Sequence, residues 1–399
     1  MSREAVSWIL GVDAGGTKTA AWVGRMFQDA KGGHQIRWSG CGHSGPGNPN
    51  SVGVAMALHS IQTAIHAAIA AAMVDGPASA DQQTPETIRL SAIWVGAAGA
   101  GRPEIASELR CELEHQFPSA EVTVTTDIAL LISIAQSADL VEAPEWIRQP
   151  WSSAIASRTI SNVQQAEAEI IARAKSSAFF DRGQPVIAII SGTGSIVWAI
   201  DGQGNEKRWG GFGPQIGDIG SGCWFGQQAI QAILAELDNR GPATSLRSVL
   251  LPHLNIPDGI ETRQLLMDRM LTPAELAALA PLVLATADHD AVANEMVQTG
   301  VEGLIAMGCA ALAWLGPRAS IHLVLGGGLL VSNTGLLNRV WQGINEFLKP
   351  QSAVEKLNPE VECQGSLPVP KISAYLSHQP VWGALVSAAD KLVSGAANR

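Results

Sequence analysis

The sequence has few cysteines and no pattern among them. The five, Cys41, Cys111, Cys223, Cys309 and Cys363, are odd in number and scattered, with no CxxC pair. That argues against a disulfide framework and a zinc site, and a reducing compartment, the cytoplasm, is the expectation. A basic stripe is missing too. Lys and Arg total 26 against 36 Asp and Glu, a formal charge of −10, so no nucleic acid partner is expected. If a phosphate compound binds, backbone N–H groups and a metal must hold it. No apolar run is unbroken over a membrane's width: the longest, "VAMALHSIQTAIHAAIAAAM", is interrupted by His59, Gln62, Thr63 and His66. These recur at helix-surface spacing, so the stretch reads as an amphipathic helix against a sheet, and no membrane partner is expected. The opening "MSREAVSWIL" reaches Asp13 before a signal-peptide core can form. A Walker sequence is absent, so any nucleotide site belongs to another class.

What the chain does contain is alternation. With 399 residues, 46% of them apolar, it is too long for one simple core and implies two domains or three. Strand-like runs at Ile9–Val12, Ala20–Val23, Leu90–Val95 and Val122–Thr125 alternate with helix-like runs over 51–73 and 103–116, which is α/β order. The alternation resumes after Pro185 at "PVIAIISGTGSIVWAID". Aligned without gaps, Gly16, Thr17, Thr19 and Trp22 fall on Gly192, Thr193, Ser195 and Trp198, which suggests a duplicated domain. Residues 137–183 behave differently: "APEWIRQPWSS" is turn-rich, and helical periodicity follows at Val163, Ile170, Ala174 and Ala178. The segment reads as an insertion.

Four stretches carry chemistry. In "ILGVDAGGTKTAAWVG", Asp13, Gly15, Gly16, Thr17 and Thr19 exceed what folding a strand back requires. Two such turns facing each other would form a clamp whose N–H groups converge on a polyphosphate. In "VTVTTDIALLISIA", Asp127 sits where a strand ends and a helix begins; position alone leaves open whether it faces a ligand crevice or only caps the helix. The loop "GGFGPQIGDIGSG" runs into a helix with apolar positions at Trp224, Ala229, Ile230, Ile233, Leu234 and Leu237, stopped by Gly241-Pro242. Asp218 lies just before that helix, free to accept hydroxyl hydrogen bonds, so the loop reads as a ligand site with a structural Ω-loop as the alternative. In "LVLGGGLLVSNTG" three glycines would let a flat ligand approach the backbone, without the G-x-G-x-x-G spacing of a dinucleotide fingerprint. Asn333 or Thr334 would cap the following helix.

Taken in order, "GVDAGGTKT", "TTD", "SGTGS", "GGFGPQIGDIGSG" and "LVLGGG" resemble the N-acetylglucosamine kinase and BadF-type ATPase family of the actin-like, sugar-kinase superfamily, over most of the chain except 137–183. The resemblance implies an α/β protein of two ribonuclease-H-like (actin-like ATPase) domains with ATP and sugar in the interdomain cleft. The first would be 1–128 completed by a C-terminal helix at 379–397, the second 129–378 with the insertion. It implies an ATP-dependent, Mg²⁺-requiring kinase acting on the 6-hydroxyl of N-acetylglucosamine, with glucosamine or N-acetylmuramic acid as near alternatives. The expected partners are this amino sugar and a second copy of the chain in a homodimer. On the same footing Gly15, Gly16, Thr17, Lys18 and Thr19, with Gly192, Thr193, Gly194 and Ser195, are the phosphate loops. Gly326, Gly327 and Gly328 would meet adenosine, and Asp13 would position Mg²⁺ through water. Asp127 would be the catalytic base, and Asn48, Gly99, Gly210, Gly211, Phe212, Gly213 and Asp218 would join it around the sugar. Ile219 departs from the family, whose kinases often carry an acid or amide there, and this leaves the sugar preference open. Two other classes remain: an activator of radical dehydratases, which would need an iron–sulfur cluster that Cys111 and Cys223 do not convincingly supply, and a sugar sensor, for which no helix-turn-helix precedes Ile9.

Overall fold

A computed structural model describes residues 7–28, 34–74, 88–137, 171–173, 183–316, 320–348, 371–377 and 380–397. The chain divides into unit 1, Met1–Gln184 with Gln379–Arg399, and unit 2, Pro185–His378. The division thus falls at 184/185 and not at 128/129. The reason is local: the helix that starts at Asp127 packs on strands of unit 1 and on the C-terminal helix.

Unit 1 contains β1 (Ser7–Ala14), β2 (Thr19–Gln28), β3 (His34–Ser44), α1 (Pro49–Val52), α2 (Val54–Val74), β4 (Leu90–Ala97), α3 (Pro103–Gln116), β5 (Glu121–Thr125), α4 (Asp127–Ser137) and β6 (Ile171–Arg173). Its sheet runs β5-β4-β1-β2-β3-β6, with β1, β4 and β5 parallel and the β1-β2-β3 meander antiparallel. β6 is the described part of the 137–183 insertion. It pairs antiparallel with Gln35–Arg37, a strand where the sequence suggested a helix, because the open edge of β3 offers a ladder to join. The rest of that segment lies outside the described residues, apart from Ser137 in α4 and Gly183.

Glycine decides how the helices dock. On β3 a Cβ at Gly40 or Gly42 would run into the backbone of Ala64, Ala68 and Ala72, so α2 lies directly on the strand. His59, Thr63 and His66 remain on its exposed side, while Ala57, Ile61, Ala64, Ile65 and Ala68 are fully buried. By length and composition both Val54–Met73 and Ala291–Leu315 could cross a bilayer; packed this way, α2 is a core helix. On the other face of the sheet, Gly11 lies in register between Trp22 and Trp94. A Cβ there would strike the backbone of Leu385 and Ala384. The gap between the two indoles is the seat of the chain's last helix, α12 (Val381–Ala397).

Unit 2 contains β7 (Val186–Ser191), β8 (Ser195–Ile200), β9 (Glu206–Gly210), α5 (Gly222–Leu237), α6 (Leu246–His253), α7 (Thr262–Asp268), α8 (Pro273–Thr286), α9 (Ala291–Leu315), β10 (Ser320–Gly326), α10 (Gly328–Ser332), α11 (Thr334–Leu348) and β11 (Lys371–Ser377). Its sheet order is β11-β10-β7-β8-β9. β7, β10 and β11 are parallel and β7-β8-β9 form an antiparallel meander. Setting β6 aside, the two sheets have the same strand order and directions, as a duplicated domain requires. The long helices carry side-chain caps: Ser221 on α5, the Thr272/Glu275 capping box on α8, Asp290 on α9 and Asn333 on α11.

Candidate functional site

The residues singled out in unit 1 gather at the carboxyl ends of β1, β4 and β5, where open α/β sheets bind ligands. β1 and β2 close on each other at the Ala14–Thr19 pair, leaving Gly15–Lys18 as the turn. Gly15 N–H donates to the Lys18 carbonyl at 2.9 Å, and the Gly15 carbonyl accepts from Gly47 N–H at 2.9 Å. Thr19 is fully buried and its Oγ1 donates to the Gly45 carbonyl at 2.9 Å, so it fastens the turn to the next loop. Thr17 and Lys18 are exposed.

Asp13 and Asp127 share this end of the sheet. Gly96 is the register partner of Asp13, and Leu130 fills the space that a Cβ on Gly96 would occupy. Leu130 follows Asp127 by three residues, on the same side of α4, so this contact carries Asp127 toward β1. Burial raises the Asp13 carboxyl to about 7, helped by the negative charge of Asp127 and opposed by Lys18. Burial likewise raises Asp127, to about 6, against hydrogen bonds from backbone N–H groups. Its Oδ1 accepts from Ile128 N–H at 3.1 Å. A conventional cap would reach the N–H two or three residues on; this carboxylate instead engages the backbone N–H groups of Ile128 and of Asp127 itself.

Asn48 and Gly99 also meet. A Cβ at Gly99, where φ is +88°, would lie 2.6 Å from Asn48 Oδ1 and 2.7 Å from Asn50 Nδ2. Asn48 Oδ1 caps α1 by accepting from Asn50 N–H at 2.9 Å. Asn50 belongs to this cluster although the sequence drew no notice to it; the repeated amide in "NPN" was its only mark.

Unit 2 repeats the device. β7 and β8 close at Ser191–Ser195, leaving Gly192–Gly194 as the turn, one residue shorter than its counterpart. The Gly192 carbonyl accepts from Gly222 N–H at 2.7 Å, as Gly15 does from Gly47. Ser195, 2% exposed, donates from Oγ to the Ile219 carbonyl at 2.8 Å, as Thr19 does to Gly45. Thr19 and Ser195 are therefore equivalent, and both hydroxyls are committed inside the protein. The Gly-rich turn after β10 lies alongside: a Cβ on Gly192 would sit 3.5 Å from Gly328 N. Gly327, at φ +89°, has no room for a Cβ against Ser191, whereas a Cβ on Gly328 would meet nothing within 4 Å. That is an open stretch of backbone bordered by Gly192.

The loop after β9 turns through Gly210, Gly211 and Gly213, all at positive φ, and Gly211 N–H donates to the Ser195 carbonyl at 3.1 Å. Phe212 is 63% exposed and Asp218 6%. Ser221, not Asp218, caps α5, accepting from Trp224 N–H at 3.1 Å. Ile219 packs its side chain toward Gly303 of α9, filling the place of a Cβ there. Among the described residues no three His, Cys, Asp or Glu side chains converge. A divalent ion near Asp13 would thus take most of its ligands from phosphate and water, the usual habit of Mg²⁺.

Two α/β units of one strand order, each with a Gly/Thr/Ser hairpin after its first strand, define a protein of the actin-like ATPase fold. The BadF/BadG/BcrA/BcrD ATPase family matches residues 153–362, a little over half of the chain, and the chain belongs to that family. It is 37% identical over 97 residues to an N-acetylmuramic acid/N-acetylglucosamine kinase of Clostridium acetobutylicum, a match covering 24% of this chain and 32% of that protein. With an N-acetyl-D-glucosamine kinase of Dictyostelium discoideum it shares 41% identity over 70 residues, 18% of this chain and 22% of the relative. The matches thus span about a third and a fifth of those relatives. A solved structure from Chromobacterium violaceum, provisionally called an N-acetylglucosamine kinase, superposes with a TM-score of 0.57 at 22% identity, covering 95% of this chain and 98% of the other. That likeness establishes the fold.

Proposed function

We propose that the protein is an ATP-dependent amino-sugar kinase that phosphorylates N-acetylglucosamine at its 6-hydroxyl. The observation that carries this reading is Asp127, an acid at the end of β5 whose burial raises it to about 6, suited to accept a hydroxyl proton near neutrality. In this reading Asn48, Gly99 and Gly210–Gly213 orient the sugar hydroxyls. Asp13, Gly15–Lys18 and the Gly192–Gly194 turn hold phosphate and Mg²⁺, while Gly326–Gly328 receive the adenosine. Thr19 and Ser195 act through the loops that they fasten. ATP supplies the γ-phosphoryl group and Mg²⁺ offsets its charge; the chain's own part is positioning and proton acceptance. The two relatives named for N-acetylglucosamine kinase activity support this reading, as does the actin-like fold. Cytoplasmic residence and a homodimer are part of the same proposal.

The activator alternative gains nothing from the cysteines: Cys111 is exposed in unit 1, whereas burial pushes the Cys223 thiol of unit 2 up to about 11. The test is ADP release from ATP with a panel of N-acetylglucosamine, glucosamine and N-acetylmuramic acid. We expect N-acetylglucosamine to give the largest stimulation, and the kinase reading fails if no sugar stimulates release.

A further inference from the structure

A helix start offers N–H groups without partners, and anions commonly settle there. The start of α5 is already taken. Gly222 N–H donates to the Gly192 carbonyl at 2.7 Å, and Cys223 N–H to the Thr193 carbonyl at 3.2 Å. Trp224 N–H goes to Ser221 Oγ at 3.1 Å and Phe225 N–H to the Ser221 carbonyl at 3.0 Å. The first turn of α5 thus grips the hairpin between β7 and β8. A side chain at 222 would part them: a Cβ on Gly222 would lie 3.1 Å from the Gly192 carbonyl oxygen and 3.0 Å from Ala277 Cβ of α8. One turn on, a Cβ at Gly226 would run into the Leu276 carbonyl, so α8 fixes where α5 stands. Among the described residues no peptide bond is cis, and in a trans peptide the N–H points opposite to the C=O. With the Gly192 and Thr193 carbonyls turned to α5, the N–H groups of Thr193 and Gly194 both point away from it. Neither has an acceptor among the described residues, whereas Gly192 N–H is used on the Gly194 carbonyl at 2.9 Å.

We propose that the first turn of α5 is the positioning element of this hairpin: by holding the Gly192 and Thr193 carbonyls it aims the Thr193 and Gly194 N–H groups at the phosphates of the nucleotide. The positive end of the helix, set against those carbonyls, also polarises the two peptides and strengthens both donors. The positioning residues are Gly222, through its missing side chain, and Cys223, through its backbone N–H and not its thiol. This rests on the kinase reading for what the hairpin binds, and the test separates the two. Cys223→Pro deletes the N–H within the first turn, where proline suits a helix, and the glycine before it has no Cβ to meet the ring. Cys223→Ala deletes the thiol alone. Relative to the alanine variant, the proline variant should raise KM for ATP about three- to tenfold and KM for N-acetylglucosamine by less than about twofold. Equal KM for ATP in the two variants, or a rise confined to the sugar, overturns the proposal. If the wild type phosphorylates no sugar in the panel, the kinase reading falls, and calorimetric affinity for Mg²⁺-ATP judges the positioning role. Weaker binding by the proline than by the alanine variant supports it; equal binding, or a wild type that binds no ATP, overturns it. Should the proline variant not fold, Gly222→Ala takes its place, since its methyl presses on the Gly192 carbonyl. The same rise in KM for ATP is expected, relieved when Ala277→Gly makes room on α8, and an unchanged KM for ATP overturns the proposal.

Discussion

Asp127 and Asp13 are two acids held close to one pole of unit 1, and each is raised chiefly by burial. A raised acid retains its proton in the folded chain over a range where the unfolded chain has lost it. The stability gained is complete below the ordinary value of 3.8 and is lost as pH climbs through about 6 for Asp127 and about 7 for Asp13. Asp127→Asn removes the charging cost and keeps an oxygen for Ile128 N–H. We expect the variant to melt close to wild type at or below the ordinary carboxylate value of 3.8 and progressively above it as pH climbs through about 6, which scanning calorimetry reads directly. Its kcat should fall by ~10²–10⁴, since a carboxamide cannot accept the hydroxyl proton. In the wild type kcat/KM should climb with pH through roughly 6 as the base ionises, and the variant should lose that limb. A variant with near-normal kcat would leave Asp127 as a residue of the helix terminus.

At the scale of elements, glycines on the strands set where helices rest, and two of them give opposite expectations. Gly42 admits α2 to β3 on the face of the sheet opposite Asp13; Gly96 admits Leu130 of α4 beside Asp13. Gly42→Ala should destabilise unit 1 by roughly 1–3 kcal/mol through overpacking, leaving the catalytic parameters of the folded fraction near wild type. Gly96→Ala should push α4 outward and shift Asp127 from its place, lowering kcat about tenfold or more for a comparable loss of stability. Melting and steady-state kinetics on both variants check the contrast. Much of this level was legible. Pro103 at the start and the buried pair Leu109 and Leu113 mark α3 at the residues that the sequence suggests, and the first hairpin follows from its glycines. The roles of individual loop residues were less so. Nothing local shows that Ile219 turns to Gly303 or that Asn50 meets Gly99, because each depends on a partner distant in sequence.

For the whole molecule, the duplication was visible as a four-residue match, and the structure extends it to strand order and to paired hydrogen bonds at Gly15 and Gly192, Thr19 and Ser195. The match runs true from the second strand of each hairpin and slips by one residue on the first, since the turn in unit 1 is longer. Asp13 therefore stands opposite Ile190, and only unit 1 carries an acid there. The units differ also in how they close. Unit 2 is one continuous stretch, whereas unit 1 borrows the last helix of the chain. On α12, Val381, Leu385 and Val386 are fully buried, as are Ala384, Ala388 and Ala389. Ser387 Oγ lies 2.8 Å from Ser133 Oγ of α4. Burial of the three large side chains alone is worth on the order of 5–9 kcal/mol, comparable with the whole stability of a domain. Ending the chain after Pro380 should therefore unfold unit 1 and uncover the seat at Gly11, while residues 185–378 retain their own sheet. Amide exchange on the truncated protein would show it: loss of protection across β1, β2, β4 and α4, with β7, β8 and β10 still protected. Adding the missing segment back as a separate peptide should restore protection in unit 1. If β1 and β4 stay protected without α12, the helix is an accessory to unit 1 and not part of its core.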